Sequence, residues 1–270
     1  MTPKKQLDLR ARHPDFQQFL DVNEKESVRV RATYPCFLDQ AYGEDQLQTL
    51  DVFPAKEPNS PILVFIHGGY WRALDKKSYS FVAEPFLQNG FAVCVVNYRL
   101  IPSVNMAGLL GDIRSGLDWI QREARRMNGN PNALVLSGHS AGGHLALAIY
   151  LLHEDLRPDI RALCSLSGLF DLKPIQESYL NEVLDLQDSE VEAFSVSNQD
   201  LSQLRCPTLL SVGGGETELF IAESRGLYDR NQSNAHLSYD EYPDLNHYQI
   251  VHKLGKAGSP LVQFIFDNCQ

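Results

Sequence analysis

Leu134-Val135-Leu136-Ser137-Gly138-His139-Ser140-Ala141-Gly142-Gly143-His144 carries a serine from an apolar run into a run with helical spacing. Within it, Gly138-His139-Ser140-Ala141-Gly142 fits the pattern G-x-S-x-G. A strand-to-helix turn this tight leaves no room for side chains beside the serine, hence the flanking glycines. The turn lifts the hydroxyl above the sheet edge. The helix starting at Ala141 aims its free N–H groups and the positive end of its dipole at the same place. Ser140 is therefore the candidate nucleophile. The competing reading is a purely structural Gly-Ser turn.

Outward from this turn the chain alternates strand and helix. Ile62–Ile66 is a continuous apolar run bounded by turn signals, which predicts a strand buried on both faces. Phe91–Val96, Ala133–Leu136, Ile160–Leu166 and Thr208–Val212 read the same way, and Leu237–Tyr242 predicts a short last strand. Between them lie helical runs at Ser78–Gln88, Val104–Arg126, Ala141–His153 and Leu219–Asp229, with a closing helix at Tyr248–Asn268. On Val104–Arg126 the apolar residues Leu109, Leu110, Ile113, Leu117 and Ile120 share one face, while Asp112 and Asp118 read as a solvated or capping face. Earlier, strand-like alternation occupies Thr33–Asp39 and Leu47–Phe53. Such alternation predicts a mostly parallel sheet with helices on both faces. The pattern breaks at 170–204, read as a small helical cap, and residues 1–30 are polar and helix-permissive, read as a helical arm over the body. The expectation is one domain, 1–270.

A second motif, His67-Gly68-Gly69-Tyr70-Trp71, follows the Ile62–Ile66 strand directly. Acyl transfer develops an oxyanion, and each preorganised N–H donor facing it is worth about 3–4 kcal/mol. Glycines let the backbone turn its amides inward, so Gly69, Tyr70 and Ala141 are the candidate donors, with Gly68 the substitute if the loop turns one residue earlier. Tyr70, Trp71 and His139 are the candidate pocket residues; packing under the cap is the competing reading for the two aromatics.

A serine hydroxyl needs a base to take its proton. Of the eight histidines, His247 stands after the last strand and before the closing helix, where the chain order nucleophile, acid, histidine requires it. His252 is the runner-up and His236 precedes the strand. The orienting acid should follow the penultimate strand, and Gly213-Gly214-Gly215-Glu216 ends that strand with a carboxylate. Glu218 and Asp244 compete with Glu216.

The net charge of −10 argues against nucleic acid or an anionic membrane as partner, since phosphate binding needs clustered Lys and Arg. The triple glycine lacks the Gly-Lys-Ser/Thr of a phosphate loop, and no Cys/His spacing suits a metal, so no cofactor is expected. Five scattered cysteines, without a CxxC pair, suggest a reducing compartment rather than a disulfide framework. With no apolar leader and no apolar run of membrane length, a cytoplasmic protein acting on a small molecule is expected.

The set His67-Gly68-Gly69-Tyr70-Trp71, Asn97-Tyr98-Arg99-Leu100-Ile101-Pro102 and Gly138-His139-Ser140-Ala141-Gly142-Gly143-His144 resembles the arylformamidases (kynurenine formamidases) and, more broadly, esterases with an HGG oxyanion loop. The resemblance runs from about Leu50 to the C-terminus. It implies an α/β-hydrolase fold with Ser140, Glu216 and His247 as nucleophile, acid and base. It also implies hydrolysis of an aryl formamide such as N-formylkynurenine, or of a short-chain ester, through an acyl-enzyme. Many relatives carry Asp where Glu216 stands. The alternatives are a general short-chain carboxylesterase and, in a different class, a non-catalytic binding protein on a hydrolase scaffold.

Overall fold

The computed structural model describes residues 3–269. Eight strands form one sheet: β1 Phe37–Ala41, β2 Thr49–Phe53, β3 Ser60–Ile66, β4 Ala92–Val96, β5 Gly129–His139, β6 Ile160–Leu166, β7 Thr208–Gly213 and β8 Leu237–Tyr242. Their spatial order is β1-β2-β4-β3-β5-β6-β7-β8. The β1–β2 and β2–β4 pairs are antiparallel and every other pair is parallel. The parallel strands alternate sides as buried strands must. Ile62, Val64 and Ile66 face one apolar layer with the helices Met106–Glu123 and Ala141–Leu152. Leu63 and Phe65 face the other, with Phe81, Phe86 and Leu261.

From β3 the chain crosses to β4 on one side, and β5 then lies on the other side of β3. Neighbouring strands thus leave the sheet in opposite directions, and the crevice beyond their carboxyl ends is where such sheets hold ligands. The pairing of Ile66 with Gly138 brings the His67–Trp71 loop and the Ser140 turn side by side at that crevice.

Several boundaries differ from expectation. Thr33 ends a helix, Phe16–Thr33, and the first strand starts only at Phe37. The run Ser78–Gln88 is mostly 3-10 turns, with α-helix confined to Glu84–Gln88, where Pro85 suits the first turn. The long helix begins at Met106, capped by the Asn105 side chain, which accepts from the Gly108 amide at 3.1 Å. The expected closing helix is two, Val251–Leu254 and Pro260–Asp267, because Gly255, Gly258 and Pro260 interrupt it. Asp112 is not solvated. It is 1% exposed and accepts from Arg99 Nη2 at 2.6 Å, the Arg99 amide at 2.9 Å and Gln48 Nε2 at 2.8 Å, tying the helix to the chain after β4.

The segment 170–204 contains the short helices Lys173–Gln176, Asn181–Leu184 and Asp188–Phe194. Glu190 there accepts from the Met106 amide, so the segment lies on the start of the long helix. Residues 3–33 form three helices, Pro3–Leu7, Leu9–Arg12 and Phe16–Thr33. The last of these is pinned by Arg29 to Glu84 and by His252 to Asn23. No helix among the described residues is long and apolar enough to cross a membrane.

Candidate active site

Ser140 sits between β5 and the helix Ala141–Leu152 at φ 57°, ψ −122°, a conformation that strains any side-chain-bearing residue. It is held there by its amide, which donates to Leu166 O on β6 at 2.8 Å. Gly142 explains the second glycine of the motif. A Cβ there would lie 2.0 Å from Ile66 O and 2.5 Å from His67 O, so the helix docks on the end of β3 only without one.

The loop after β3 is fixed from below. His67 is fully buried, donates from Nε2 to Asn97 Oδ1 at 2.8 Å and stacks on Tyr98 at 4.5 Å. Gly69 to Arg72 then make a tight turn in which the Arg72 amide donates to Gly69 O at 3.1 Å. Both central residues, Tyr70 (φ 49°) and Trp71 (φ 57°), have left-handed backbone, which ordinarily calls for Asn or Gly. This turn sends the two aromatics to opposite destinations. Tyr70 lines the cavity and donates to Leu7 O of the arm at 2.9 Å. Trp71, expected in the pocket, has no exposed surface; it packs edge-on to His144 at 5.2 Å inside the core and does not line the cavity. The amides of Gly69, Tyr70 and Ala141, the three predicted oxyanion donors, are without an acceptor among the described residues.

The candidate base and acid come from the loops after β8 and β7. His247 Nδ1 lies 2.6 Å from Glu216 Oε2, with both residues buried. The other carboxylate oxygen, Oε1, accepts from the Gly213 amide at 2.8 Å and Ser167 Oγ at 2.5 Å. The glycine run is what lets the two loops meet. The Gly214 amide donates to Tyr242 O and the Gly215 amide to Leu245 O, while a Cβ at Gly213 would lie 2.2 Å from Leu245 O. His139 donates from Nε2 to His247 O at 2.9 Å, securing the histidine loop to the serine turn. Burial, then the nearby His247, hold the His139 imidazole well below its usual range, so it stays neutral.

Ser140, His247, His139, Gly69 and Tyr70 line one cavity of about 320 Å³. The Ser140 hydroxyl makes no hydrogen bond among the described residues; such contacts commonly tighten only when substrate binds. The competitors lie elsewhere. Glu218, Asp244 and His236 are exposed, and His252 is taken by Asn23. Among the described residues no group of His, Cys, Asp and Glu is arranged to hold a metal.

The sequence reading missed Ser167 and the share of the arm. Ser167 was detectable as a polar residue at the carboxyl end of β6. Leu7, Asp8, Leu9, Arg10, Phe16 and Leu20 line the cavity, and Arg12 Nη2 donates to Glu216 O at 3.3 Å. No local pattern marks these, since they act across some 200 positions of chain.

A nucleophile-type serine turn, a buried carboxylate–imidazole pair and unpartnered amides on this strand order define an α/β-hydrolase. The BD-FAE family model matches residues 50–208. The kynurenine formamidase of Danio rerio is 30% identical over 237 residues, spanning 84% of this chain and 79% of that one. Among solved structures, a Silicibacter protein provisionally named a thioesterase is 27% identical, with a TM-score of 0.81 over 93% of both chains. Esterase B of Lactobacillus rhamnosis superposes with a TM-score of 0.73 at 19% identity over 96% of this chain and 92% of its own, a likeness of fold. The chain belongs to the BD-FAE family and is a hydrolase related to the kynurenine formamidases.

Proposed function

We propose that this hydrolase cleaves aryl formamides, N-formylkynurenine among them, and short-chain aryl esters through an acyl-enzyme on Ser140. The observation that carries the reading is the 2.6 Å contact of His247 Nδ1 with Glu216, on the wall of the cavity that Ser140 also lines. An ionised carboxylate only accepts, so it keeps the proton on Nδ1 and leaves Nε2 free to take the serine proton. Ser140 Oγ attacks the carbonyl carbon as His247 removes its proton. The carbonyl oxygen becomes an anion facing the Gly69, Tyr70 and Ala141 amides. His247 then protonates the departing nitrogen or oxygen, and water, deprotonated by the same imidazole, releases the acyl group.

The cavity favours a small acyl group on an aromatic leaving group. About 320 Å³ accommodates one substituted ring, and Phe16, Tyr79, Tyr179 and Tyr248 offer it aromatic walls. An anilide nitrogen leaves more readily than an alkyl amine, and a formyl carbon is unhindered, so an esterase-type site suffices. The test compares kcat/KM on N-formylkynurenine with that on p-nitrophenyl acetate, butyrate and octanoate. Turnover of the formamide, with ester rates falling as the acyl chain lengthens, is expected. Preference for octanoate without formamide turnover would overturn the reading.

A further inference from the structure

The outer end of the cavity carries charges that the chemistry at Ser140 does not use. Arg10 and Asp8 come from the arm and Arg72 from the turn that also presents the Gly69 and Tyr70 amides. Ser140 is buried and Arg72 half-buried, whereas Arg10 is exposed, so the guanidiniums mark the mouth side. Neither arginine forms an ion pair among the described residues, whereas the partly buried Arg99, Arg114 and Arg157 each do and the partly buried Arg31 is held by Ser80 Oγ and Lys77 O. Arg10 is nonetheless placed: its guanidinium lies over the Phe16 ring at 5.0 Å, on the cavity wall. The Arg72 backbone is fixed by its amide, which donates a hydrogen bond to Gly69 O. Asp8 uses one oxygen to cap the Ala11 amide at 3.1 Å. The Tyr179 phenol, also on the wall, feels all three charges, Asp8 raising its pKa and Arg72 and Arg10 lowering it, after the larger effect of burial. Two guanidiniums and one carboxylate leave a local positive charge at the mouth of a protein with a net charge of −10.

We infer that Arg10 and Arg72 are specificity-determining residues that hold a carboxylate at the end of the substrate remote from the scissile bond. This rests on the hydrolytic reading of the cavity. Guanidiniums bind carboxylates through parallel N–H···O bonds. Because one comes from the arm and the other from the oxyanion turn, an anionic substrate would bridge the two and settle its carbonyl against Ser140. A charge-assisted contact of this kind is worth about tenfold to a hundredfold in kcat/KM.

The test uses a matched pair, 3-(2-formamidophenyl)propanoate and its neutral N-methylamide, with the full chain. The acid should be preferred by about tenfold or more. In Arg72→Gln and Arg10→Gln the ratio of the two kcat/KM values should collapse towards one, and Arg72→Lys should recover part of it. Arg10 is exposed, so that variant keeps the reading testable even if a change at the Arg72 turn disturbs folding. Equal turnover of acid and amide by the parent protein, or a ratio untouched by both Gln variants, would overturn the assignment while leaving the hydrolase reading intact. Turnover of neither compound would instead remove the formamidase reading beneath it.

Discussion

In the proposed mechanism Glu216 decides which nitrogen of His247 carries the proton, and each of its oxygens has a fixed clientele. Oε1 takes the Gly213 amide and the Ser167 hydroxyl, leaving Oε2 for the imidazole. Glu216→Gln retains the carbonyl oxygen for the first two donors and turns an NH2 towards His247. That donor forces the imidazole proton onto the nitrogen facing Ser140, which then cannot act as base. The fold should survive and kcat should fall about 10⁴-fold, as loss of the correct tautomer does in serine hydrolases. Steady-state kinetics beside a melting curve checks this; near-parental kcat would contradict it. That Glu216 meets His247 and that His247 shares a cavity with Ser140 was legible because chain order and motif context constrain these positions. Trp71 and Tyr70 read alike as bulky neighbours of an oxyanion loop. Only the left-handed turn, at φ 49° and 57°, sends one into the cavity and the other into the core.

Among the elements, the helix Ala141–Leu152 docks closely on β3. Its first turn passes so close to β3 that Gly142 has no space for a methyl group, and the atoms it would meet are backbone. Gly142→Ala must push the helix off the end of β3 or rotate the Ser140 turn. A loss of about 1–3 kcal/mol in denaturant stability is expected, with activity down by more than a hundredfold, since Ser140 moves with the helix. Unchanged activity in a stable variant would show that the contact tolerates relaxation. Strands such as β6 and β8 were readable to the residue, being apolar or alternating runs closed by turn residues. The closing helix was not, because helical spacing on both sides of Gly255–Pro260 hid a break that backbone preferences impose. Asp112 was misplaced for a related reason: its helix position reads as peripheral, and its burial comes from Arg99 and Gln48 in distant segments.

At the scale of the molecule, pH sensitivity should track a carboxylate outside the proposed catalytic set. The buried end of Glu223 accepts the Phe170 amide at 2.6 Å and the Asp171 amide at 3.3 Å, while its Oε1 has no partner. Burial pushes its pKa up from 4.5 to about 8, against the pull of those amides. A raised folded-state pKa means that the folded chain holds the proton after the unfolded chain has released it. Stability from this group is therefore complete below about pH 4.5 and is lost as pH climbs towards 8. Glu223→Gln abolishes the titration, so its melting temperature should fall less than the parent's between pH 5 and pH 8. Parallel curves would assign the pH dependence to other groups. Tertiary effects like this one, and the arm's reach across the cavity, arise from contacts between distant segments, and no window of sequence displays them.

The central claim is that Ser140 is the nucleophile in a site built from three sheet-edge loops and the arm. Its most direct measurement is labelling with a fluorophosphonate followed by peptide mapping, alongside the Ser140→Ala variant. One phosphonyl adduct on the peptide containing Ser140, absent from the variant together with activity, is the expected result. An adduct on another residue, or full hydrolysis by Ser140→Ala, would contradict it.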